Sequence, residues 1–171
     1  MKKVVRLSEN DFKNKIKSLI QEQDEEKSND FPTLVSHLLF SQTQVHIFHL
    51  QTKSYAEHNA LQDYYEGIDG LVDELIESYQ GEFGIIENYK SFKVESYTDS
   101  EKVISYFEMI LNAVKEGRET IESTHLQNIL DEVITLVTKT MYKLKFLKSF
   151  SDRRTTFFII ILIINIMICV N

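Results

Sequence analysis

Apolar residues recur every three or four positions along most of the chain, which is the spacing of one face of an α-helix. The pattern covers residues 29–53, 55–80, 98–119 and 122–150. No segment alternates apolar and polar residues in the way that a half-buried strand does. The sequence therefore predicts an all-α fold, in which four long helices form one bundle over residues 29–150.

The first 28 residues form a separate N-terminal segment. Phe12, Ile16, Leu19 and Ile20 lie at helical spacing, and Ser8 precedes them as an N-cap. A charged stretch at 24–30 follows and has the composition of a linker. We therefore expect a short amphipathic helix and a linker over residues 1–28.

The last segment, residues 151–171, is a hydrophobic tail that is almost unbroken from Phe157 to Val170. As a helix, fourteen such residues span about 21 Å, which is less than the ~30 Å hydrocarbon core of a bilayer. Three interpretations remain open. The tail is a membrane anchor through residues 155–170, an apolar helix buried in an oligomer, or a product of translation past the true end of the gene.

Composition excludes several classes of function. The formal net charge of −7 argues against nucleic acid as a partner, because non-specific binding to phosphates needs a basic surface. The single cysteine, Cys169, excludes an internal disulfide and a cysteine-rich zinc site. The N-terminus has no apolar signal-peptide region, so we expect a cytoplasmic protein, with membrane association if the tail is an anchor. The chain also lacks a phosphate-binding glycine loop and a zinc-protease motif.

The candidate chemistry lies on the first two predicted helices of the bundle. Three of the five histidines, His46, His49 and His58, fall within thirteen residues. His49 precedes the end of one helix by about a turn, and His58 follows the start of the next by about a turn. A tight antiparallel hairpin would bring these two imidazoles together as half of a metal site.

Asp73 and Glu77 lie four residues apart and share one face of the second helix. His58 precedes Asp73 by fifteen residues, or about 22 Å along a helix, so one chain cannot close all four side chains on one ion. A two-fold dimer with antiparallel helices could place the acids of one chain over the histidines of its partner, which gives two identical sites. Imidazole and carboxylate ligands with open positions are typical of a non-haem iron centre.

These residues resemble the Dps mini-ferritins, a ferritin-like family. The family has a His-x-x-His-Trp pattern on its first helix and a His at the start of the second. An Asp follows fifteen residues later, and a Glu four residues after that. The chain offers "HIFHL", His58, Asp73 and Glu77 at the same last two intervals. The similarity covers roughly residues 29–150.

The resemblance implies a ferritin-like four-helix bundle and iron bound between two-fold-related subunits. His49 and His58 of one chain and Asp73 and Glu77 of the other would be the ligands, with His46 supporting them without binding iron. It also implies that peroxide or dioxygen oxidises Fe(II), and that a hollow shell of twelve subunits stores the ferric mineral.

The chain departs from the family at three places. Leu50 stands where the family has Trp, and the stretch between His49 and His58 is about three residues shorter and lacks Gly-Pro. The N-terminus has no long basic tail, so DNA binding is not carried over.

Residues 41–81 also resemble uncharacterised ferritin-like proteins of tailed bacteriophages. The alternative to a ferroxidase is therefore a non-catalytic helical assembly or interaction module, of phage or prophage origin.

Overall fold

The computed structural model describes residues 31–147, which fold into four α-helices and contain no strand. The helices are α1 (Phe31–Gln51), α2 (Tyr55–Phe83), α3 (Ser100–Thr120) and α4 (Thr124–Phe146). The predicted all-α four-helix bundle is therefore confirmed. The predicted N-terminal helix and the hydrophobic tail lie outside the described residues.

The four helices close around one apolar core. α1 packs on α2 and α3, and α4 packs on the same two helices from the other side. Phe48, Tyr64 and Phe107, from three different helices, are completely buried. The apolar faces that the sequence predicts for α1 and α2 point inward, with one exception. The exception is Leu39, which follows Val35 by four residues, the spacing of one helix face, yet has 43% of its surface exposed.

The helix termini follow local sequence signals. Ser54 caps α2 by accepting a hydrogen bond from the amide of Glu57, and Asp99 caps α3 through the amide of Lys102 at 2.8 Å. The apolar pattern of the second predicted helix ends at residue 80, but α2 continues to Phe83. Gly84 ends it with φ of 96°, a conformation that favours glycine, because a Cβ would clash with the backbone there.

The long connection between α2 and α3 runs back along α1. Its amide at Lys90 donates to Ser36 Oγ (2.9 Å), near the start of α1, and its amide at Tyr97 donates to Gln51 Oε1 (2.6 Å), at the end of α1. The connection therefore crosses the length of the bundle. As a result, α3 starts at the same end as α2 and runs parallel to it. The element against which this aromatic-rich connection packs is α1.

Contacts at both ends of the bundle agree with this topology. Phe31 stacks on Tyr79 with ring centroids 3.7 Å apart, so α1 begins where α2 ends. Lys143, near the end of α4, forms an ion pair with Asp63, near the start of α2. Adjacent helices are therefore antiparallel, and the long crossover makes α2 and α3 parallel helices at diagonally opposite positions of the bundle. Over residues 31–147, no helix combines the length and apolar character that a membrane crossing requires.

Candidate metal centre at the α1–α2 hairpin

A connection of three residues, 52–54, joins α1 to α2 and sets the geometry of the candidate site. The Ser54 amide donates to Thr52 Oγ1 (3.2 Å), and the amide of His58 donates to the Ser54 carbonyl (2.8 Å). These bonds reverse the direction of the chain between the last turn of α1 and the first turn of α2. His49, in the last turn of α1, therefore faces His58, in the first turn of α2.

The rings of His49 and His58 are stacked, with centroids 3.7 Å apart and planes inclined by 23°. The ring Nδ1–H of His49 donates to the carbonyl oxygen of His58 (2.9 Å), and the ring Nδ1–H of His58 donates to the carbonyl oxygen of His49 (3.1 Å). A carbonyl oxygen can only accept, so each Nδ1 must carry the proton. In each neutral ring, Nε2 is then the nitrogen with the free lone pair.

The donated Nδ1–H is a feature that metal-binding histidines share. A ligating imidazole uses one nitrogen for the metal and donates the N–H of the other to a carbonyl or carboxylate, which fixes its tautomer and orientation. His49 is buried, with 7% of its surface exposed, and His58 is half-buried. The pair thus has two fixed rings close to the protein surface.

His46 lies beside this pair rather than in it. Its ring centroid is 5.8 Å from that of His49, and the residue is exposed. The ring of Tyr65, on α2, stacks on His46 at 4.3 Å and meets the edge of His49 at 5.1 Å. Sequence reasoning did not single out Tyr65, although its position seven residues after His58 places it two turns along the same face.

Asp73 and Glu77 are exposed on α2, away from the histidine pair. Within the described part of the chain, neither carboxylate has a hydrogen-bond or ion-pair partner. No three His, Cys, Asp or Glu side chains in residues 31–147 lie close enough together to hold a metal ion. A single chain therefore brings together two of the four predicted ligands, His49 and His58, and leaves both acids exposed.

A buried carboxylate next to the pair was not predicted. Glu57 is only 4% exposed, and its Oε2 accepts hydrogen bonds from hydroxyl groups of Thr52, Tyr97 and Ser100. Burial raises the pKa of Tyr97, so its hydroxyl keeps its proton and donates. The local signal for Glu57 is the Ser54-x-x-Glu57 spacing of a capping box. Tyr97 and Ser100 are about forty residues away, and no local pattern connects them with this site.

The chain is therefore a helical-bundle protein. It has one long crossover, and a pair of histidines with fixed tautomers lies at its first hairpin. The sequence model of DUF5856, a family of unknown function, matches residues 49–144, from the first histidine of the pair to the last turns of α4. The chain belongs to this family. Comparisons with curated proteins and with solved structures gave no match.

Proposed function

We propose that the chain is the subunit of a Dps-type mini-ferritin, which binds Fe(II) at sites shared between two subunits and oxidises it with peroxide or dioxygen. In this proposal His49 and His58 of one subunit and Asp73 and Glu77 of its partner bind iron. The ferric product is stored inside a closed oligomer.

The path of the chain supports a ferritin-like bundle. Ferritin-like folds differ from simple up-and-down bundles by having one long crossover connection. Residues 84–99 are such a crossover, and they lie along α1 from Ser36 to Gln51.

The observation that carries the proposal is the reciprocal hydrogen bonding of His49 and His58. Ordinary surface histidines have no need of a fixed tautomer. Here both rings use Nδ1–H on a backbone carbonyl, and the basic Nε2 of each ring has no hydrogen-bond partner in residues 31–147. Neutral imidazole nitrogens of this kind are common ligands of iron in proteins.

The two acids and the outer surface of α1 and α2 support the shared site. Asp73 and Glu77 are exposed, and neither has a hydrogen-bond or ion-pair partner in residues 31–147. Four large apolar side chains on the same two helices are also exposed, namely Leu39 (43%), Leu50 (68%), Tyr55 (74%) and Phe83 (56%). Exposed apolar residues around a polar site are typical of an association surface.

Iron oxidation by ligand variants tests the proposal. Fe(II) would be added anaerobically to the full chain, followed by peroxide, and ferric absorbance recorded. We expect wild type to oxidise Fe(II), and His58→Ala or Asp73→Ala to lose at least about 90% of the initial rate, because each removes a ligand from every site. Glu74→Ala, which removes an exposed carboxylate beside Asp73, is the control. Wild-type rates in both ligand variants would rule out the assigned residues.

Mixed oligomers separate a shared site from a site within one subunit. A dimer of one His58→Ala chain and one Asp73→Ala chain has one site without either residue and one site with all four. With random pairing, co-assembled variants should recover about one quarter of the wild-type sites, because half of the dimers are mixed. No recovery in co-assembled protein would contradict a site that spans the two-fold axis.

The alternative function is a non-catalytic assembly module in which the same surface only joins subunits. The exposed Leu39, Leu50 and Tyr55 favour this function as much as the first one. It predicts an oligomer of unchanged mass that neither binds nor oxidises Fe(II). Metal content and oligomer mass, measured on one purified sample, distinguish the two functions.

A further inference from the structure

Glu57 is a buried carboxylate that the proposed iron chemistry does not use. It is the third residue of α2 and stands directly before His58. Its Oε2 accepts three hydroxyl hydrogen bonds, from Thr52 (2.6 Å), Tyr97 (3.0 Å) and Ser100 (3.2 Å). Its Oε1 is buried and has no hydrogen-bond partner in residues 31–147.

The three hydroxyl donors come from three different segments. Thr52 belongs to the α1–α2 connection, Tyr97 to the end of the crossover, and Ser100 to the first turn of α3. Within the described residues no Lys or Arg pairs with Glu57. The carboxylate instead lies in the first turn of α2 and bonds to the first residue of α3, so the positive ends of two helices face it.

The same hydrogen bonds fix the backbone on which the histidine pair depends. Thr52 donates to Glu57 and accepts from the Ser54 amide, while the Glu57 amide donates to Ser54 Oγ. This closed set of bonds determines the turn between α1 and α2. The carbonyl groups that hold the two imidazole rings belong to His49 and His58, which flank that turn.

We propose that Glu57 is a positioning residue for the His49–His58 pair. Its carboxylate holds the α1–α2 connection, the crossover and the start of α3 together, and this keeps each ring Nδ1–H on the opposite carbonyl. A carboxylate suits this role because it accepts charge-assisted bonds from several hydroxyls and has no N–H of its own to place. All three donors lie outside α2, so one carboxylate holds these segments to the start of α2.

The part of the proposal that concerns iron rests on the proposed function, and its test has a readout that does not. The imidazole ¹⁵N NMR signals of the metal-free full chain, recorded at a pH where both rings are neutral, report which nitrogen carries the proton. Wild type should show His49 and His58 as Nδ1–H tautomers. Glu57→Gln should shift both rings toward the Nε2–H tautomer, which neutral histidine prefers in water, with unchanged helix content by circular dichroism.

Three further variants calibrate the result. Tyr97→Phe and Thr52→Val each remove one hydroxyl donor and should give a partial shift. Glu101→Gln, at an exposed glutamate in the first turn of α3, is the matched control and should leave the tautomers unchanged. If Glu57→Gln fails to fold, the two hydroxyl variants decide the matter. Nδ1–H tautomers retained in folded Glu57→Gln, or in both hydroxyl variants, would overturn the proposal.

Metal binding supplies the second readout. Co(II), used as an air-stable probe, should bind Glu57→Gln about tenfold more weakly than wild type, which is the usual loss when a group supporting a metal ligand is removed. If wild type binds no Co(II) but Glu57→Gln still changes the tautomers, the iron function fails and the positioning role stands. If wild type binds Co(II) and Glu57→Gln changes neither readout, the positioning role fails alone.

Discussion

Gly117 allows α3 to approach α1 closely. The glycine is buried, and a Cβ built on it would lie 2.4 Å from Cδ2 of Leu34, a buried residue of α1. Such a distance requires Leu34 or a helix to move. Glycine destabilises the interior of a helix, so another factor must explain its presence here. That factor is the close contact with Leu34, which leaves no room for a Cβ. Two glycines of α2 have more space around them. Gly67 has ordinary to tight contacts with Leu136, and Gly70 has none within 4 Å in this chain.

Gly117→Ala should destabilise the protein. Overpacking typically costs about 1–3 kcal/mol, and the better helix propensity of Ala returns at most about 1 kcal/mol, so we expect a net loss of about 1 kcal/mol. Gly81→Ala is the control, because no atom lies within 4 Å of its Cβ position and it should gain up to about 1 kcal/mol. Urea denaturation measures both, and shifts of the same sign would contradict the packing argument.

At the site, sequence reasoning found the residues that local spacing connects. His49 and His58 flank a short turn between two amphipathic helices, and such a turn must bring its flanks together. Sequence reasoning missed Glu57, because two of the hydroxyl groups that donate to it belong to the crossover and to α3. Their proximity depends on the path of the crossover, which has no periodic pattern.

At the scale of the helices and their connections, the side chain of Gln44 attaches the crossover to α1. The side chain is completely buried, donates from Nε2 to the carbonyl of Glu95 (2.7 Å) and accepts from the amide of Glu95 at Oε1 (2.8 Å). One side chain thus replaces the two hydrogen bonds that a neighbouring strand would supply. This contact lies midway between the two ends of α1, where Ser36 and Gln51 hold the rest of the crossover.

Gln44→Met should loosen the crossover while it keeps the volume of the side chain. Both backbone groups of Glu95 lose their partner, which should cost about 1–3 kcal/mol. The Glu95 amide should exchange its hydrogen with solvent much faster than in wild type. Gln42→Met, on the same helix and without a side-chain hydrogen bond in the described residues, is the control. Unchanged exchange at Glu95 would show that other contacts hold the segment.

The Arg118–Asp131 ion pair joins α3 to α4 with two hydrogen bonds of 2.5 and 2.9 Å. The hydrogen bond from Arg118 lowers the pKa of Asp131 below its ordinary value of 3.8. A lowered pKa in the folded state means that the pair stabilises the protein above pH 3.8, and that this contribution is lost as the pH falls through the folded pKa.

Asp131→Asn should therefore lower the melting temperature modestly at pH 7, and the difference from wild type should disappear in strong acid. Glu132→Gln, the exposed neighbour without a partner in residues 31–147, controls for the loss of one negative charge. Melting curves from pH 7 down to 2 give the answer. A difference that persists at the lowest pH would show that Asp131 acts through something other than its charge.

For the whole molecule, the outer face of α1 and α2 decides whether the proposed site exists. Leu50 is 68% exposed, and it stands one residue after His49. A charge at this position should oppose a two-fold contact, because an interface core excludes unpaired charges.

Leu50→Glu should weaken both subunit association and Fe(II) binding. We expect each association constant to fall at least tenfold, because burying the charge should cost at least about 1.4 kcal/mol. The oligomer mass should fall as a result. Met109→Glu is the control, since Met109 is 45% exposed on α3 and belongs to neither α1 nor α2. Analytical ultracentrifugation and iron titration of the full chain measure both effects. A monomer that retained wild-type Fe(II) affinity would contradict a shared site.

The sequence alone determined the four helices and their inward faces, because helix formation and apolar periodicity depend on residues within a few positions of one another. It also indicated that His49 and His58 meet, because a short connection between two amphipathic helices favours an antiparallel hairpin. Only the tertiary structure decided the direction of α3, the attachment of the crossover to Gln44 and the hydroxyl cluster on Glu57. These features join residues about 40 to 50 positions apart, and their pairing depends on how the whole bundle closes.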